Sequence, residues 1–127
     1  MSAHKPFGNQ IPFCEPSWYQ GQFSPYYTAN HVAFRARVRE FVEKELKPNV
    51  DKWIKTGYPP ELHIKAYEAG LSGVIYPPEL GGTKPADFDA FYELIMVDEM
   101  ARMGGGGVLG QSAINSMALP PISAYPP

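Results

Sequence analysis

Apolar residues Phe34, Val38, Phe41 and Val42 recur at the spacing of one helical face, while Arg35, Arg39, Glu40, Glu43 and Lys44 fall elsewhere. This pattern predicts an amphipathic helix opened by Thr28 or Asn30 as cap. Glu40 and Lys44 stand one turn apart in the favourable order, and Lys47 follows near the negative end of the helix dipole. Pro48 interrupts the pattern, and a short continuation through Val50, Trp53 and Ile54 stops at Gly57. Pro59 and Pro60 open a third short helix containing Leu62, Ala66 and Tyr67, with Gly70 as its left-handed stop. Residues 71–75 form a brief apolar run, and the prolines and glycines of residues 76–82 predict an ordered loop or turn.

The longest helical pattern runs through Phe88, Phe91, Tyr92, Ile95, Met100 and Met103, with Asp87 as its expected N-cap. Because residues 94–97 are consecutively apolar, the middle of this helix is apolar on every side and belongs at the centre of a bundle, and a chain this size is not expected to bury all of it. The glycines at 104–107 end it. Residues 108–119 predict a last helix closed by Pro120 and Pro121. Ahead of all this, Pro6, Pro12, Pro16 and Pro25 forbid a sustained helix over residues 1–27, yet seven aromatics there argue for an extended arm lying on an apolar surface. The expected fold is all-α: a small up-and-down helical bundle over residues 28–127, preceded by an extended aromatic- and proline-rich N-terminal arm over residues 1–27.

Composition narrows the function. A chain of 127 residues, 44% hydrophobic, suffices for one domain with a core. A formal charge of -2 gives no electrostatic reason to expect nucleic acid or an anionic membrane. Cys14, the single cysteine, cannot close an intramolecular disulfide, no leader pattern opens the chain, and Asp98 and Glu99 interrupt the most apolar segment. An intracellular, soluble protein without a membrane span is expected. The proline-rich ending directly after a core-like helix leads us to expect that the chain is a piece of a longer one.

Candidate chemistry is sparse. Gly105, Gly107 and Gly110 satisfy a dinucleotide-binding spacing, but no strand precedes them and no acidic residue follows Glu99, so a helix-to-helix turn is the better reading. His4, His31 and His63 lack companions at metal-ligand spacing and are expected at the surface. Cys14 has no neighbouring histidine to make it a nucleophile. Arg35, Arg37 and Arg39 are followed at once by Glu40, Glu43 and Glu45, which predicts a solvated helix face. Asp98 and Arg102 are one turn apart and expected to pair, with Glu99 in a structural ion pair or a contact to a neighbouring domain rather than acting as a base. No catalytic, cofactor-binding or metal-binding residue is assigned. Gly110, Ser112, Ala113, Ser116 and Ala118 are small, leaving room beside the long helix for another helix or an acyl chain.

Five landmarks in order give the chain a resemblance. The stretch from Phe34 to Val42 leading to Leu46-Lys47-Pro48, then Tyr58-Pro59-Pro60-Glu61-Leu62, Ala69-Gly70-Leu71, Pro78-Glu79-Leu80-Gly81-Gly82, and Asp98-Glu99-Met100-Ala101-Arg102, with the exit Leu119-Pro120-Pro121-Ile122, resemble the N-terminal helical domain of acyl-CoA dehydrogenases. The resemblance implies a larger enzyme with a middle β-domain that binds FAD and a C-terminal helical bundle. In that enzyme a glutamate of the C-terminal bundle removes the α-proton of an acyl-CoA thioester while the β-hydrogen passes as hydride to the flavin. It further implies a homo-oligomer, often mitochondrial or peroxisomal. FAD and acyl-CoA would be met through the other domains, and this chain alone would hold no FAD tightly and turn over no substrate. Val108, Leu109 and Ser112 are the positions expected to face the acyl tail. The rival expectations are a stand-alone helical interaction module without catalytic activity and a small acyl or lipid carrier.

Overall fold

Thr28 starts the first helix by a reciprocal arrangement: its backbone, extended at φ -104°, donates its N–H to Nδ1 of His31 at 3.0 Å. The computed structural model describes residues 14–106, 117–122, 124 and 125. Helix α1 spans Ala29–Phe41 and buries Phe34, Val38 and Phe41, the predicted stripe. The helix loosens before Pro48 is reached, into a π-turn over Val42–Leu46 closed by the Lys47 N–H on the Val42 carbonyl at 2.8 Å. Pro48, just past this turn, offers no N–H to the carbonyls behind it. Asn49 compensates, donating its side-chain amide to the Glu45 carbonyl at 3.1 Å. The exposed pairs form as spaced, Lys44 with Glu40 and Lys47 with Glu43.

Helix α2 (Val50–Thr56) stops at Gly57, φ +74°, and α3 (Glu61–Glu68) is followed by Gly70 at φ +70°. Residues 71–75 contribute buried Leu71 and Val74 to the core. The loop after them is held by a 3-10 turn over Pro78–Leu80, by the Gly82 N–H on the Pro77 carbonyl at 3.0 Å and by the Thr83 N–H on the Gly73 carbonyl at 2.8 Å. Gly82 sits so close to the Tyr76 backbone that a β-carbon would lie 1.9 Å from its carbonyl oxygen, which only glycine avoids. The loop is tied to α3 by the Tyr67 hydroxyl, which donates to the Gly81 carbonyl at 2.8 Å.

Helix α4 (Ala90–Ala101) is capped by Asp89, not by the expected Asp87: Asp89 Oδ1 accepts the Phe91 N–H at 2.9 Å. Asp87 is taken instead by tertiary partners, the Asn30 amide at 2.9 Å and the Tyr92 hydroxyl at 3.0 Å. Helices α1 and α4 pack as the central pair and run in the same direction, with His31 beside Asp89 at their starts and Arg39 beside Glu99 at their ends. The intervening residues 42–89 make the return journey.

One expectation holds in part and one fails. Leu94 and Val97 are 53% and 57% exposed, so within this chain α4 is central on one side only, covered by α1 and the core around Ile95, and bare on the other. Pro120 and Pro121 lie inside helical backbone over residues 117–122 rather than closing it, and the Pro121 carbonyl still accepts the Tyr125 N–H at 3.1 Å. Gly104 at φ +75° turns the chain and helical backbone resumes at Gly106, which fits a helix-to-helix corner; Gly107 and Gly110 lie outside the described residues. The described part of the arm contains no helix. It turns at residues 17–21, where the Tyr19 and Gln20 N–H groups reach the Pro16 carbonyl at 3.0 and 3.2 Å, and stacks Trp18 on Tyr27 at 4.0 Å. Tyr27 in turn meets Phe91 of α4 at 4.9 Å. All described elements are helical, without strands, and none of the helices is long and apolar enough to cross a membrane.

Candidate functional site

Charge gathers where the C-terminal ends of α1 and α4 meet. Arg35 and Arg39 are one turn apart on α1, and Glu99 faces them from α4, with Glu99 fully buried and Arg35 only 1% exposed. Arg39 grips Glu99 with two donors, Nε and Nη2, each at 2.8 Å. Arg35 lies 2.5 Å from Glu99 and 2.9 Å from Asp98. A third carboxylate comes from the arm: Glu15 accepts two bonds from Arg39 at 2.7 and 2.9 Å, one from Arg35 at 3.2 Å and one from Arg102 at 3.1 Å. The Arg39 bond is the first cause holding the Glu15 carboxyl below its ordinary range, against the opposing effect of burial. The Glu15 and Glu99 bonds push Arg39 upward in return.

This cluster corrects two expectations. Arg35 and Arg39 are not a solvated face, although Arg37 between them is exposed. Arg102 does not pair with Asp98; it reaches Glu15 and, at 3.5 Å, Glu99, while Asp98 turns to Arg35. A guanidinium buried in the seam without carboxylates would cost far more than an exposed one-turn pair on α4 returns. Glu99 does take the structural ion-pair role. Spacing carries only part of the signal: Arg35 and Arg39 flank the apolar stripe and Glu99 stands one turn beyond Ile95, which sets each beside an apolar face without saying that the two faces meet.

At the other end of the same helix pair, His31 is buried rather than at the surface. Its Nδ1 receives the Thr28 N–H, so its Nε2 donates to Asp89 Oδ1, 3.0 Å away. The ring lies 4.5 Å from that of Tyr92. Beside it, a cleft of about 350 Å³ is lined by Asn30, Ala33, Phe34, Arg37, Pro85, Asp87 and Tyr92. Burial first, then the bond to Asp87, pushes the Tyr92 hydroxyl up to about 12, and the Asn30 amide is the first cause lowering Asp87. The phenol therefore stays a donor at neutral pH, and the carboxylate an acceptor. His63 stands apart from both places, edge-on to Tyr58 at 5.5 Å.

This cleft does not fit the flavin that the resemblance implies. The cleft is near the floor of the roughly 300–1,000 Å³ that drug-sized ligands fill, and FAD is larger than those. Its amide, carboxylate and phenol already bond to one another. Among the described residues no group of three His, Cys, Asp or Glu could hold a metal ion. Val108, Leu109 and Ser112, expected at the acyl tail, lie outside the described residues, as does His4. Cys14 is half-buried beside Glu15 in the arm.

Comparison with known proteins places the chain. Residues 28–126 match the family model for the acyl-CoA dehydrogenase N-terminal domain. The acyl-CoA dehydrogenase AFT10-1 of Alternaria alternata is 32% identical over 81% of this chain and 27% of its own length. The acyl-CoA dehydrogenase apdG of Emericella nidulans is 31% identical over 92% of this chain and 30% of its own. A 3-(aryl)acrylate reductase of Clostridium sporogenes is 31% identical over 72% of this chain and 24% of its own. No solved structure matches at the same stringency. The chain thus spans less than a third of the curated relatives it matches. With the five landmarks in order, an all-helical fold and a family match beginning where the arm ends, this chain belongs to the acyl-CoA dehydrogenase family, through its N-terminal domain.

Proposed function

We propose that the chain serves as the N-terminal domain of a FAD-dependent acyl-CoA dehydrogenase, an oligomeric enzyme that oxidises acyl-CoA thioesters across the α,β bond. Its share is to pack against the remaining domains and to form part of the acyl pocket, with Val108, Leu109 and Ser112 toward the acyl tail. The observation that carries this reading is the bare face of α4: Leu94 and Val97, three residues apart on a family-matched helix, are both more than half exposed. Flavin and catalytic base belong to other parts of the enzyme.

The experiment is an assay of the purified chain with FAD, a series of acyl-CoAs and an artificial electron acceptor. We expect no turnover; steady turnover above background overturns the assignment of flavin and base to other domains. Reading the coding DNA past Pro127 tests the rest. An open frame running into a β-rich segment supports the reading, and a stop codon turns it toward a stand-alone interaction module. That second reading is favoured by one observation, the arm outside the family match, which supplies Glu15 to the α1–α4 seam.

A further inference from the structure

The polar seam has an uneven account once the arm is set aside. From the helices come Arg35, Arg39 and Arg102; against them stand Glu99 and Asp98, leaving one positive charge in excess. The excess falls at a partly dry place. Arg35 is almost wholly buried and its Nε has no partner among the described residues. Arg35 keeps Glu99 and Asp98, so the excess rests on the partly buried Arg39 and Arg102, and the helical module lacks one anion here that its own helices do not supply. Glu15 meets that need with four hydrogen bonds from three guanidinium groups, two of them in the parallel fork that suits a planar carboxylate. Aromatic rings close the same place: Arg35 lies 4.9 Å from the Tyr19 ring and 5.3 Å from the Trp18 ring, and Arg39 5.3 Å from Tyr19.

We propose that the seam between α1 and α4 is a receptor site for a carboxylate, filled in this chain by Glu15 of the arm, and that it takes a free small carboxylate when Glu15 is removed. Its donors belong to α1 and the end of α4 and its occupant to a segment before the family match. The arm is thereby a strap held by one ion-paired side chain beside its Trp18 and Tyr19 contacts.

The test is rescue of Glu15→Ala by acetate, read as the thermal midpoint of the full chain in sodium acetate against sodium chloride at equal ionic strength. Acetamide, of the same shape but uncharged, is added to a further sample. Acetate is expected to raise the midpoint of Glu15→Ala by roughly 4 °C or more beyond its effect on the unaltered chain, and acetamide to do nothing. The double variant Glu15→Ala/Arg102→Met has two guanidiniums against two carboxylates, so it should be more stable than Glu15→Ala in chloride and lose the acetate response. If Glu15→Ala responds to acetate no more than the unaltered chain, the proposal is overturned. Should Glu15→Ala be unfolded in chloride, refolding in acetate supports the site. Its staying unfolded there, while the double variant folds, shows that the excess charge matters but that no free carboxylate is received, which also overturns the proposal.

Discussion

Glu99 shows how much one carboxylate can organise. It is fully buried, lies within 2.8 Å of both Arg35 and Arg39, and has Arg102 one turn further along its own helix. A buried ion pair adds little over a well-packed apolar pair, but deleting one partner strands the other. Glu99→Gln, which keeps the shape and removes the charge, should therefore cost about 3–5 kcal/mol of unfolding free energy in urea titration. Glu40→Gln, which breaks the exposed pair with Lys44 on the same α1, should leave the urea midpoint unchanged. Equal, small effects of both would show that the seam does not carry the helix pairing. The charged residues were the least legible part of the sequence for the same reason. Whether Arg35 faces water or Glu99 is decided by a helix some 60 positions away and by an arm residue before α1, neither of which local spacing encodes. His31 was misplaced likewise: what buries it is Tyr92 and Asp89 from α4.

The elements themselves were easier to read, because most of their boundaries are set by local chemistry. Gly57, Gly70 and Gly104 all adopt the positive φ that a side chain resists, and each ends a helix where the pattern ended. The start of α4 is the counter-example. Asp87 and Asp89 are both good caps, and a contact from Asn30 on α1 decides between them by engaging Asp87. The middle of α4 marks another limit: four consecutive apolar residues say that every side is greasy, not which side this chain itself covers. The structure divides them, with Ile95 in the core and Leu94 and Val97 outside. Ile95→Ala should cost about 2–5 kcal/mol, the range for a truncated core aliphatic. Leu94→Glu should change stability by no more than about 0.5 kcal/mol. Chemical denaturation of the two variants separates them, and a large loss from Leu94→Glu would mean that the outer face of α4 is needed for the fold rather than for docking.

At the scale of the whole molecule the all-helical class was legible, since patterning and proline placement act along the entire chain. The parallel run of α1 and α4 was not, because it depends on how residues 42–89 return, and no local signal carries that. The outcome is a chain with an inner core around Val38 and Ile95 and an outer set of apolar residues left bare, among them Ile54, Ile64, Leu80, Leu94 and Val97. A domain whose outer apolar faces were selected to meet other domains has nothing to cover them with when alone, and water-exposed apolar patches associate. Light scattering should therefore show the purified chain growing in mass with concentration, and a hydrophobic dye should brighten on it. The variant Leu94→Glu/Val97→Lys should weaken both effects without lowering the thermal midpoint, because neither residue lies in the core. A monodisperse monomer that binds no dye would mean that these side chains are tolerated singly at the surface, and the bare face of α4 would no longer argue for a docking partner.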